Sequence, residues 1–157
     1  MKFRFVDKIL SWQPQKRICG VKSISFEEYD LKTGLGEESH FPESLLMECL
    51  FQLGNWLIML SSDFTQMGLL LRIQHVQFHD RFRPGQNLLM EVKVRRFRPD
   101  GVLFDGKAWV DKEEIATGEG CLALPCELAD YYDPQYQRVL FSEIYQPVNS
   151  KKEKCHD

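Results

Sequence analysis

The segment from 42 to 60 is the strongest constraint in this sequence. It carries Leu45, Leu46, Met47, Leu50, Phe51, Leu53, Trp56, Leu57 and Ile58, so apolar residues fall on nearly every side of a helical wheel. A helix of that kind must be buried on most faces. Pro42 suits the first helical position, where its missing N–H would be unpaired anyway. Glu43 complements the positive end of the helix dipole. The spacing predicts a helix over 42–60 that a sheet must wrap.

The rest of the chain supplies that sheet. Strands are expected over 18–26, 69–78, 88–97, 102–110 and 114–124, and the third has clean period two, with Leu88, Met90, Val92 and Val94 set against Glu91, Lys93 and Arg95. Arg83-Pro84-Gly85, Pro99-Asp100-Gly101 and Asp111-Lys112-Glu113 punctuate the run as turns. Short connections make neighbouring strands antiparallel. One long helix and a curved antiparallel sheet define an α+β architecture. The chain has few strands to cover such a helix, and an open sheet edge invites pairing with a second copy. A homodimer is expected. The main domain is expected over 1–125. Residues 126–157 form a tyrosine-rich extension, with Tyr136, Leu140 and Ile144 spaced as on a short helix, ending in a charged tail expected to be disordered.

Composition removes several classes. The 157 residues fit one domain, and 43% apolar against 27% charged is a globular balance. The net charge of −3 gives no field for nucleic acid. Fully apolar runs such as Leu57 to Leu60 are short, so no membrane span is expected. The N-terminus, MKFRFVDKILSW, does not read as a signal peptide. Five cysteines without a CxxC pair point to free thiols and a cytoplasmic location. GxSxG, Walker and GxGxxG motifs are absent, and Gly34-Leu35-Gly36 reads as a flexible turn. His75 and His79 are four apart on a strand, roughly 13 Å, which is too far to share a metal. Neither metal nor cofactor is expected.

Polar residues remain on one line of the helix: Ser44, Glu48, Gln52 and Asn55. They share a face. Either they form a solvated stripe, or Glu48 is a carboxylate placed for acid–base work within apolar surroundings. His40, just before the helix, is either a loop histidine or a partner for Glu48. Arg81, Arg83, Arg95, Arg96 and Arg98 lie within eighteen residues of one another and form a candidate docking surface for an acidic protein.

Three stretches of sequence carry a family likeness. PQKRICGVKSIS, PESLLMECLFQ and RFRPGQNLLMEVKV resemble segments of the β-hydroxyacyl-acyl carrier protein dehydratases of the FabZ type, the second matching P-G-V-L-x-x-E-A-x-A-Q and the third P-V-x-P-G-D-x-L-x-x-E-V. The resemblance covers roughly residues 4–125. It implies a hot-dog fold, a homodimer or a trimer of dimers, substrate tunnels at the dimer interface, and 3-hydroxyacyl thioesters of acyl carrier protein or coenzyme A as partners. It also implies that Glu48 is catalytic, with Gln52 matching the motif glutamine, and that Glu43 and Ser44 at the helix start bind the thioester.

The family's second catalytic residue is a histidine that opens an H-F-P-G word fourteen residues before the glutamate. A gapless count from Glu48 lands on Gly34, whereas His40-Phe41-Pro42-Glu43 imitates the word only eight residues before Glu48. Either a shortened loop has let His40 take over, or the histidine is lost. Dehydratase-like activity is the leading expectation. A thioesterase and a non-catalytic acyl-binding subunit are the alternatives.

Overall fold

The computed structural model describes residues 4–25 and 40–147. Its seven strands are β1 (Lys8–Gln13), β2 (Arg17–Ser23), β3 (Gln66–Arg72), β4 (His75–Phe78), β5 (Asn87–Arg98), β6 (Gly101–Val110) and β7 (Glu113–Glu127). The two α-helices are α1 (Glu43–Ser61) and α2 (Pro134–Ile144). The strands form one antiparallel sheet in the order β1-β2-β5-β6-β7-β3, with β4 also paired to β7. The expected α+β class and central helix are both present. Pro42 sits at the cap of α1, one position before the helix proper.

The sheet differs from expectation at its edges. β1 adds a strand to the expected set, and the expected strand 69–78 is two strands. The break follows from β7. Gly120 has φ +61, a left-handed conformation that suits glycine. A Cβ at Gly120 would lie 2.2 Å from Gln74 Oε1, so the glycine also makes room for the connection between β3 and β4. The Gly120 N–H donates to Asp105 Oδ1 at 2.9 Å, and Arg95 Nε holds the other oxygen of Asp105 at 2.6 Å. β7 is therefore pinned in a bend. β3 pairs with residues 122–127 on one side of it, and β4 with 116–119 on the other.

α1 lies across the concave sheet. Leu46, Leu50, Leu53, Leu57 and Ile58 are essentially inaccessible. Close approach is possible because glycines face the helix; a Cβ on Gly20 would fall 2.8 Å from Leu53 Cδ1 and 2.8 Å from the Lys8 carbonyl. By length and mean hydropathy α1 could cross a bilayer, but most of it is buried within this fold. The premise that a second copy is needed to bury the helix does not hold. Seven strands and α2 cover most of it within one chain. α2 brings Phe141 against Trp56 and Phe64, with ring centroids 6.2 Å apart in both pairs.

Cys49, Cys121 and Cys126 are free thiols. Burial drives the Cys49 thiol strongly upward and pushes Cys121 up to about 12. Cys19 is buried, with its sulfur 3.9 Å from Glu91 Oε2. The loop around Gly34 and the C-terminal tail lie outside the described residues.

Candidate functional site

The polar line on α1 is not a solvated stripe. Gln52 Nε2 donates to Glu48 Oε1 at 3.0 Å. Gln52 Oε1 in turn accepts from the Phe5 backbone N–H at 2.9 Å, which fixes the orientation of the amide. One turn further on, Asn55 Oδ1 accepts from the Gly68 N–H at 2.8 Å. Gly68 stands opposite Pro125 in the β3–β7 ladder. The stripe thus ties α1 to the N-terminal segment on one side and to β3 on the other.

That N-terminal segment is itself anchored. Asp7 Oδ1 accepts from Lys22 Nζ at 3.2 Å, and Asp7 Oδ2 from the Ser23 N–H at 2.7 Å. Lys22 is only 1% exposed, so its buried amine reaches out to the partly exposed Asp7 carboxylate. Phe5 packs edge-on against Phe41, with centroids 6.1 Å apart. The hydrogen bond that positions Gln52, and through it Glu48, therefore comes from a fixed backbone.

Glu48, Gln52 and Asn55 stand between two cavities and line both. The larger, about 480 Å³, is bounded also by Arg4, Trp56, Met59 and Met67 and by residues of the C-terminal segment. The smaller, about 160 Å³, lies toward the sheet edge, against Phe51, Gly68, Leu69 and Leu70. A half-buried carboxylate with one oxygen held and cavities on either side is suited to exchanging a proton with a bound molecule.

The other expected site residues are placed elsewhere. His40 is half-buried beside Phe41, whose N–H donates to the Phe82 carbonyl at 2.6 Å, and it lines neither cavity. Ser44 is exposed at the first turn of α1 and lines neither cavity. Glu43 borders a separate polar cavity of about 320 Å³ with Phe78, His79, Asp80, Arg81 and Arg83. The five arginines do not form one surface. Arg81 and Arg83 precede β5, while Arg95, Arg96 and Arg98 close it. The length of that strand separates the two groups by roughly 30 Å. Among the described residues, no group of three or more His, Cys, Asp or Glu is placed to hold a metal.

The residues overlooked in the sequence are those of the larger cavity's outer wall: Arg4, Tyr132, Tyr136 and Gln137. Tyrosine enrichment after Pro125 was the one available signal, and it did not reveal which side of α1 the extension would cover.

Solved structures resemble this fold across most of the chain. A mutant of the fluoroacetyl-CoA-specific thioesterase FlK superposes with a TM-score of 0.62 at 12% identity, covering 82% of this chain and 98% of that one. The dehydratase heterocomplex ApeI:P from Xenorhabdus doucetiae gives 0.55 at 13% identity, covering 74% and 92%. The architecture is the hot-dog fold, a curved antiparallel sheet wrapped around one central helix. Within that class the chain belongs to the FabA-like domain family, which matches residues 1–119. It is 30% identical over 123 residues to the 3-hydroxyacyl-[acyl-carrier-protein] dehydratase FabZ of Clostridioides difficile, covering 78% of this chain and 87% of that protein.

Proposed function

We propose that this protein is a dehydratase-like hot-dog enzyme acting on 3-hydroxyacyl thioesters, with Glu48 as its acid–base residue. The observation that carries the reading is the position of Glu48: fixed by Gln52, on the wall shared by two cavities, in a chain of the FabA-like family. In the reaction a base removes the α-proton, the electron pair forms the α,β double bond, and the β-hydroxyl leaves with a proton as water. Glu48 delivers that proton. The enolate-like thioester oxygen needs a donor. The expected ones, the N–H groups of Glu43 and Ser44, lie outside both cavities that Glu48 lines, so they serve only if substrate reaches past the cavity to the first turn of α1.

The base is the open half of the pair. His40 fills it only if substrate or a second subunit brings it to the cavity. His40→Ala then lowers turnover by about 10²–10⁴-fold, non-additively with Glu48→Gln. A silent His40→Ala with a damaging Glu48→Gln assigns the base elsewhere. The second reading is a subunit that binds acyl chains and relies on an active homologue for the missing base. The absence of His40 from both cavities favours it, and the solved ApeI:P assembly is by its description a dehydratase heterocomplex.

The thioester is carried by acyl carrier protein or coenzyme A. Arg81 and Arg83, which border the polar cavity with Glu43, are the arginines we assign to meet it. Reversal of Arg83 to glutamate weakens carrier binding and its salt dependence, while reversal of Arg96 leaves both unchanged. The β3 edge, with Leu70 and Leu71 exposed beside Leu124, is the surface for a homodimer or a trimer of dimers. The cytoplasm suits the free thiols of Cys49, Cys121 and Cys126.

The deciding assay supplies a 3-hydroxyacyl and a saturated acyl thioester and follows enoyl formation and thiol release together. Enoyl formation from the first supports the proposal. Thiol release from both without enoyl product means a thioesterase, and binding without either product means an acyl-binding subunit.

A further inference from the structure

The larger cavity owes one wall to a part of the chain that the family match does not reach. The match ends at residue 119, and Tyr132, Tyr136, Gln137, Leu140 and Ile144 close the cavity opposite α1. This wall is held firmly. Asp133 caps α2 by accepting from the Gln135 N–H at 2.9 Å. Phe141 stacks on Tyr145 at 5.0 Å and meets Trp12 edge-on at 6.4 Å. Arg138 donates to Asp63 at 2.8 Å and lies 4.8 Å from the Phe64 ring centroid. Across the cavity, Arg4 Nη2 donates to the Tyr136 hydroxyl at 2.6 Å, joining the N-terminal segment to α2.

Gln137 stands out on this wall. It is 7% exposed and lines the cavity, and since no fully buried side-chain nitrogen or oxygen lacks a partner among the described residues, its amide is either paired or open to that space. A side-chain amide on a cavity wall can donate to or accept from a bound molecule. An apolar chain end packed against Gln137 would strip the amide of water and leave it unpaired. A hydroxyl or carbonyl would pair with it. A site built to hydrogen-bond one group discriminates strongly against the analogue lacking it.

We propose that the larger cavity receives the acyl chain of the thioester and that Gln137 hydrogen-bonds a neutral polar group near its far end. The C-terminal helix thereby sets substrate choice toward acyl chains with a hydroxyl or carbonyl at that end. This rests on the assignment of Glu48 as the acid–base residue of the same cavity.

The test compares two long 3-hydroxyacyl thioesters of equal length, one ending in methyl and one in hydroxyl. A short-chain thioester and unreactive acyl amide analogues of all three accompany them. Wild-type protein favours the hydroxyl-ended chain by about tenfold or more, in kcat/KM and in the Kd of the amides. Gln137→Leu removes or reverses that ratio and leaves kcat/KM for the short chain within about twofold. Gln137→Met serves as a second apolar replacement, and the wild-type ratio decides the matter even if neither variant folds. A wild-type preference for the methyl-ended chain, or a ratio unmoved in folded variants, overturns the proposal. If no thioester is dehydrated but the amides keep the ratio, the Gln137 subsite stands and the dehydratase reading falls. If dehydration proceeds without the ratio, the subsite falls and the dehydratase reading stands.

Discussion

The two sides of α1 do different work. Toward the sheet, Leu50, Leu53 and Leu57 are fully buried against strands whose glycines admit the helix closely. Toward the cavities, Glu48, Gln52 and Asn55 are half-buried, and Gln52 Oε1 and Asn55 Oδ1 accept from backbone of the neighbouring segments. The first side gains by excluding everything, so its tolerance for change is small. The second is polar and leaves space beside it. That space suits a side chain that must meet a substrate, and it should make the cavity side less important for stability than the sheet side.

Substitutions on the two sides should therefore separate stability from activity. Leu53→Ala, on the sheet side, should lower unfolding free energy by about 3–4 kcal/mol in chemical denaturation. A loss below about 1 kcal/mol would mean the helix is not tightly wrapped. Gly20→Val should cost about 2–3 kcal/mol, since the new side chain meets both Leu53 and the Lys8 carbonyl and the carbonyl cannot move aside. On the cavity side, Asn55→Ala should cost only about 1 kcal/mol, the value of the bond to Gly68.

The smallest perturbation is chemical. Burial raises all three free thiols, so each keeps its proton to higher pH than an ordinary cysteine. The thiolate is the reactive form, so alkylation should accelerate as pH rises. Partly exposed Cys126 should react first, and Cys49 and Cys121 only on unfolding. Mass spectrometry of briefly alkylated native protein checks that order, and early labelling of Cys49 would mean the sheet side opens readily.

The parts of the molecule readable from sequence are those with local periodicity. The apolar wheel of α1 and the alternation in β5 each set a pattern that packing only had to accept. The split between β3 and β4 was not readable, because LLLRIQHVQF is uniformly strand-prone and the break originates in Gly120 on a distant strand. The covering of α1 was misjudged for a related reason: β1 and α2 contribute across long separations that spacing does not encode. Glu48 and Gln52 could be recognised together because four residues make one helical turn. The arginines misled because nearness in sequence along an extended strand means distance in space. Gln137 gave no signal, since a lone glutamine on an amphipathic helix looks like any solvated residue.

The central claim is that Glu48 serves chemistry and not the fold. Glu48→Gln keeps the shape of the side chain and removes its acid–base capacity. Dehydration kinetics and denaturant unfolding should be measured on the same preparation of this variant. The account predicts a fall in kcat of about 10²–10⁴-fold with the unfolding midpoint essentially unchanged. Unaltered turnover, or a loss of activity that only follows a loss of stability, would contradict it.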